Sequence, residues 1–90
     1  MSRDPIEGYF DREGRLVLWP SRKRGDLRRL VLERLIERFE PERDYKEIEV
    51  NAILKAAHTF EDHALLRREL SDGGLLDRLP DGSRYRRVTS

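Results

Sequence analysis

Ninety residues, 37% of them hydrophobic and 41% charged, allow one soluble domain with a single modest core and exclude a second. The chain has no cysteine, which rules out disulfides and cysteine-ligated zinc, and no apolar run approaches the roughly 20 residues needed to cross a bilayer. A net charge of +1 is too small to hold nucleic acid by charge alone, but residues 15–29 carry six Lys or Arg against one Asp, so the charge is unevenly spread.

The opening MSRDPIEGYF lacks the apolar stretch of a secretory signal, so a cytoplasmic location is expected. Residues 1–8 show no periodicity and are expected to form a flexible tail, leaving 9–90 as the single domain. Tyr9 and Phe10, the turn-forming run Asp11 to Gly14, and then Leu16 to Trp19 read as a hairpin or a single strand, which Pro20 ends. Trp19, beside a basic run, is placed to stack on a base or, as is commoner for such a residue, to pack over the core. Arg22, Lys23 and Arg24 form a basic cluster suited to phosphate contacts or, equally, to a solvated loop. Arginine outnumbers lysine sixteen to three, which suits bidentate phosphate binding but also follows from a GC-rich genome.

Leu27, Val31, Leu32, Leu35, Ile36 and Phe39 cover about half of a helical circumference, predicting a central core helix that ends near Glu40, because Pro41 disfavours helical geometry before it. Leu30 falls outside that stripe, among Arg29, Glu33 and Glu37, a position for contact with the N-terminal hairpin or with a second chain. A second helix is predicted from about Lys46 to Ala57, with Val50, Ile53, Leu54 and Ala57 inward and Ile48 opposite. Asp44 and Glu47 would cap it if it begins early.

The third predicted helix takes Thr59 as its N-cap, with Asp62 three residues on, and runs to Asp72, where Gly73 and Gly74 stop it. Leu66 and Leu70 project inward with Leu65 at their flank; Ala64, Arg67, Arg68 and Ser71 project outward. Small residues beside two guanidinium groups let a helix approach a duplex and reach phosphate or a guanine edge, although an ordinary amphipathic helix shows the same polar face. Glu69 lies near the buried seam and requires a partner such as Arg78 or an arginine of the first helix. Leu75 to Leu79 and Arg84 to Val88 are strand-like runs separated by Pro80, Asp81, Gly82 and Ser83, a hairpin with Asp-Gly at its centre that brings Arg84 and Arg86 to a backbone.

These elements predict an α+β fold: a winged helix-turn-helix of three helices, with an N-terminal strand or hairpin and a C-terminal two-stranded wing. His58, Glu61, Asp62 and His63 are the one cluster of metal-ligand types, but the histidines do not stand at i and i+4 of one helix, so no metal is expected. With no cysteine nucleophile, phosphate-cradling glycine loop or nucleophile elbow, neither a cofactor nor enzymatic activity is expected. The expected partner is double-stranded DNA, and no membrane. The alternative is a protein-interaction or dimerisation module of the same shape, pairing as a homodimer or with a helix-turn-helix regulator; the acidic stretch from Glu33 to Glu49, Leu30 and Ile48 favour it.

Four stretches together, GRLVLWPSRKR (14–24), LVLERLIERFEP (30–41), YKEIEVNAILK (45–55) and DHALLRREL with GLLDR (62–70 and 74–78), resemble a small bacterial domain family of unknown function. Its members occur alone or fused behind helix-turn-helix regulators of the MarR or ArsR type. The resemblance implies a winged-helix fold and a setting in transcriptional control, and it supplies no activity. Gly25-Asp26 departs from the family's more basic or apolar pattern, and Lys46 stands where a Ser or Thr cap is commoner.

Overall fold

A computed structural model describes residues 4–81 and 83–89. Three helices pack beside a small antiparallel sheet in the order α1 (Gly25–Leu35), β1 (Asp44–Lys46), α2 (Glu47–Ala57), α3 (His63–Asp72), β2 (Leu76–Arg78), β3 (Arg84–Arg87). The architecture is α+β, an open three-stranded sheet of order β1-β3-β2 against three helices.

The apolar stripes read from the sequence form the core. Leu27, Val31, Leu32 and Leu35 from α1, Val50, Leu54 and Ala57 from α2, and Leu66 and Leu70 from α3 are buried together, with Tyr45, Leu76 and Tyr85 of the sheet closing one side. Fully burying each such leucine contributes roughly 2 kcal/mol. α1 stops sooner than expected. Ile36–Arg38 tightens into a 3-10 turn and Phe39 is already extended, which drives its ring into the core at 5.2 Å from Tyr45, edge to face.

One helix start agrees with the sequence expectation and one differs from it. α2 begins after Lys46, whose amide donates to the Glu49 carboxylate at 2.8 Å; Asp44 is not a cap but a strand residue bonded to Arg86. α3 begins after Asp62, whose carboxylate accepts from Leu65 N–H at 3.2 Å. Thr59 is not the cap: residues 59–62 lie outside the helix, and the Thr59 amide donates to the carbonyl of Leu16. The C-terminus of α3 follows the glycine reading. Gly74 adopts φ +75°, and Leu75 N–H reaches back to the Leu70 carbonyl while Gly74 N–H reaches Ser71, the paired bonds of a Schellman turn.

The wing is part of a larger sheet than the two strands expected. β1 pairs with β3 in the register Asp44↔Arg86, Tyr45↔Tyr85, Lys46↔Arg84, and β2 pairs with the other edge of β3. A three-residue strand with one inward residue, Tyr45, has too short a period to read from sequence. The turn between β2 and β3 is closed by Leu79 N–H to the Arg84 carbonyl, and the Asp-Gly centre assigned to it falls partly on Gly82, outside the described residues.

Leu16 to Trp19 do not form a named strand. Leu16 instead pins the N-terminal segment to the turn after α2: its side chain is buried, its N–H donates to Ala57, and its carbonyl accepts from Thr59, so it straddles His58. Upstream, Ile6 lies in the core and Asp4 pairs with Arg34 at 2.5 Å, so these two residues hold the segment without periodicity against α1. Leu30 borders this arm in a shallow depression shared with Asp4, Pro5 and Ile6.

Candidate nucleic-acid interface

The connection between α2 and α3 is held by one buried side chain. Asp62 N–H donates to His58 Nε2 at 2.8 Å, which puts the ring proton on Nδ1, 2.6 Å from the Leu54 carbonyl. The ring thereby ties the last turn of α2 to the N-cap of α3, and Phe60 packs edge-on against it with centroids 4.7 Å apart. Both ring nitrogens are used by backbone. Among the described residues, no group of three or more metal-ligand side chains is assembled, at this turn or elsewhere.

Rotation by about 100° per residue about α3 sets Arg68 opposite Leu66 and Leu70, with Ala64 and Ser71 on one side of it and Asp72 on the other. Ala64 and Arg68 are exposed, as is Asp72; Ser71 is half-buried. Arg67 departs from its expected role. Its side chain is only 24% exposed, leans onto α2 to donate to Asn51 Oδ1, and lies 4.0 Å from the Glu47 carboxylate, which also accepts from Tyr85 OH. The two adjacent arginines are therefore unlike: Arg67 belongs to the contact between α2 and α3, and Arg68 to the surface.

The other basic residues divide in the same way. Arg22 and Lys23 are exposed with no ion-pair partner among the described residues, whereas Arg24 is paired with Asp26 at 3.0 Å. That pairing raises the guanidinium pKa and lowers the Asp26 carboxyl below its ordinary value. On the sheet, Arg86 is bound by Asp44 at 2.6 Å, while Arg84 is exposed and stands directly across from Lys46, another cation. Trp19 has no open ring face for a base on the side where the Arg28 guanidinium lies, 5.0 Å from its centroid; the residue is half-buried against the core. Glu69 is half-buried, as a place near the seam requires, and Arg29 of α1 spends its guanidinium on Glu33 and the Gly73 carbonyl.

Four participants were missed from sequence. Lys46 joins Arg84 only through the β1 register, which three residues do not reveal. Glu47 and Asn51, one turn apart on α2, form the acceptor pair for Arg67, which only the packing of α2 on α3 brings within their reach. Asp72 was legible, since the projection that selects Arg68 puts a carboxylate within one residue's rotation of it.

No curated protein and no solved structure matches the chain. Residues 15–87, from the segment that pins His58 to the end of β3, match the family described as "Uncharacterized protein conserved in bacteria (DUF2087)", and the chain belongs to that family.

Proposed function

We propose that the domain is a winged helix-turn-helix that binds double-stranded DNA in transcriptional regulation in the cytoplasm, with α3 in the major groove and the β2–β3 wing on phosphates. The observation that carries this reading is the order of elements: α2 and α3 packed together across a short turn, with an antiparallel hairpin immediately after α3. A helix so placed is the second helix of a helix-turn-helix, the one that enters a groove. Arg22, Lys23 and Arg84, exposed and without ion-pair partners among the described residues, are the phosphate contacts. The family resemblance, with its fusions behind helix-turn-helix regulators, supports the same setting. We propose a binding role and no catalysis.

The test is a fluorescence titration with random duplex DNA at low and then moderate salt. Binding that weakens steeply with salt supports phosphate contact through counterion release. Absence of binding at low salt removes the reading.

One observation favours a second reading, a protein-interaction or dimerisation module of the same shape. Ile48 on α2 is 74% exposed, the most exposed of the large apolar side chains among the described residues, and Leu30 is 36% exposed on α1. A homodimer or a complex with a helix-turn-helix regulator would cover one of them. Light scattering on the wild type and on Ile48→Glu and Leu30→Glu separates the readings: a wild-type dimer converted to monomer by either change supports the second, and a wild-type monomer at high concentration removes self-association.

A further inference from the structure

We propose that α3 reads base edges through Arg68, which recognises a guanine, and that Arg67 is a positioning residue that fixes α3 against α2. The inference rests on the DNA-binding reading and assigns the kind of sequence that reading requires.

A guanidinium that reads a base must be free to present two parallel N–H groups to guanine O6 and N7. Arg67 is not free. Withdrawing it would strip Asn51 of its donor and Glu47 of its nearest cation, inside a contact that is only partly open to water. Arg68 is exposed and has no hydrogen bond or ion pair among the described residues. Ala64, one turn earlier on the same face, has only a methyl group, so the helix backbone can approach the groove floor and Arg68 can reach it.

Asp72, one turn later, decides what kind of contact this face makes. Its exposed carboxylate repels phosphate, and in the major groove the only groups it can accept from are base amino groups, cytosine N4 and adenine N6. A face of one small residue, one free guanidinium and one free carboxylate is poorly suited to gripping a backbone. It is suited to a guanine with a base amino group near it, so the expected ligand is duplex DNA with a G·C pair at the centre of each site.

The experiment starts from a duplex pool enriched on the wild-type protein and compares it with the same sequences made with 7-deazaguanine, which replaces the N7 acceptor by carbon and leaves the pairing and phosphates unchanged. The wild type should bind the natural duplex roughly tenfold more tightly. Arg68→Ala should abolish that difference. Arg67→Ala should keep it while lowering thermal stability; Arg67→Met, which keeps the aliphatic stem, serves if the alanine variant does not fold. Salt-sensitive binding from which no sequence can be enriched, equal binding of the two duplexes by the wild type, or discrimination that survives in Arg68→Ala would each overturn the inference while leaving DNA binding standing. No binding to any duplex at low salt would overturn the DNA reading itself, and the inference with it.

Discussion

The turn before α3 and the hairpin turn between β2 and β3 are built differently. The turn before α3, residues 58–62, is bonded to three other parts of the chain: His58 to Leu54 and to the Asp62 amide, Leu16 to Ala57 and to Thr59, and the Asp62 carboxylate to Leu65. The turn after β2 is closed by Leu79 N–H to the Arg84 carbonyl and by Ser83 N–H to the Asp81 carboxylate, both on exposed or half-buried residues. The difference means that the orientation of α3 is tied to buried groups, whereas the hairpin turn rests on bonds between exposed or half-buried residues. A surface meant to read bases needs the first property, and one meant to follow a backbone tolerates the second.

The strongest way to break this contrast is at Leu16, whose side chain is fully buried while its backbone spans His58. Leu16→Ala removes a core side chain and loosens the pin, and should cost about 3 kcal/mol in urea unfolding; Leu79→Ala, at the half-buried hairpin end, should cost less than about 1 kcal/mol. Next is His58→Ala. It leaves the Leu54 carbonyl and the Asp62 amide without their ring partner at a site where the histidine itself is only 6% exposed, and should cost about 2 to 3 kcal/mol. Equal losses at the two turns would remove the distinction between them.

A smaller effect of opposite sign is expected at Glu61, in the turn before α3. Its φ of 53° is a left-handed conformation that a side chain with a Cβ disfavours. Glu61→Gly should raise stability by about 0.5 to 1 kcal/mol, the relief of strain being partly offset by the greater freedom of glycine when unfolded. Glu42, at φ 60° between α1 and β1, offers the same test away from the site. If Glu42→Gly stabilises and Glu61→Gly does not, the bonds around His58 are not what holds Glu61 in place.

What could be read from the sequence follows from how local each cause is. The stripes of α1, α2 and α3 were legible because burial repeats along a single helix, and Gly73-Gly74 because a helix end recruits glycine within two residues. The cap of α3 was misread by three residues: Thr59 and Asp62 are both good caps, and residues 58 and 59 lie in a bridge to Leu16, forty-three positions from Thr59, outside the helix that Asp62 begins. β1 was missed because its evidence lies in β3. At the site, the outward position of Arg68 was legible and the inward tie of Arg67 was not, since Asn51 is on another helix and only the packing of α2 on α3 brings it within reach.

The smallest expected effects are electrostatic, and they return to the contrast between packed and open parts of the chain. Asp4 holds the N-terminal arm against α1, and its carboxyl pKa is lowered below 3.8 first by the hydrogen bond from Arg34 and then by the Ile6 amide. Asp81 in the hairpin turn is lowered in the same direction by the Ser83 backbone and hydroxyl. In both cases the folded state holds the proton less readily than the unfolded chain. The stabilisation is therefore complete above the ordinary carboxylate pKa of 3.8 and is lost as pH falls through the lower folded value. Urea midpoints measured from pH 5 down to the acid limb should fall less steeply for Asp4→Asn and Asp81→Asn than for the wild type. The change should be greater for Asp4, because its principal partner is a charged guanidinium and the arm it anchors carries Ile6 into the core. An acid limb unaltered by Asp4→Asn would mean that Ile6 alone seats the arm and that the ion pair follows from its packing.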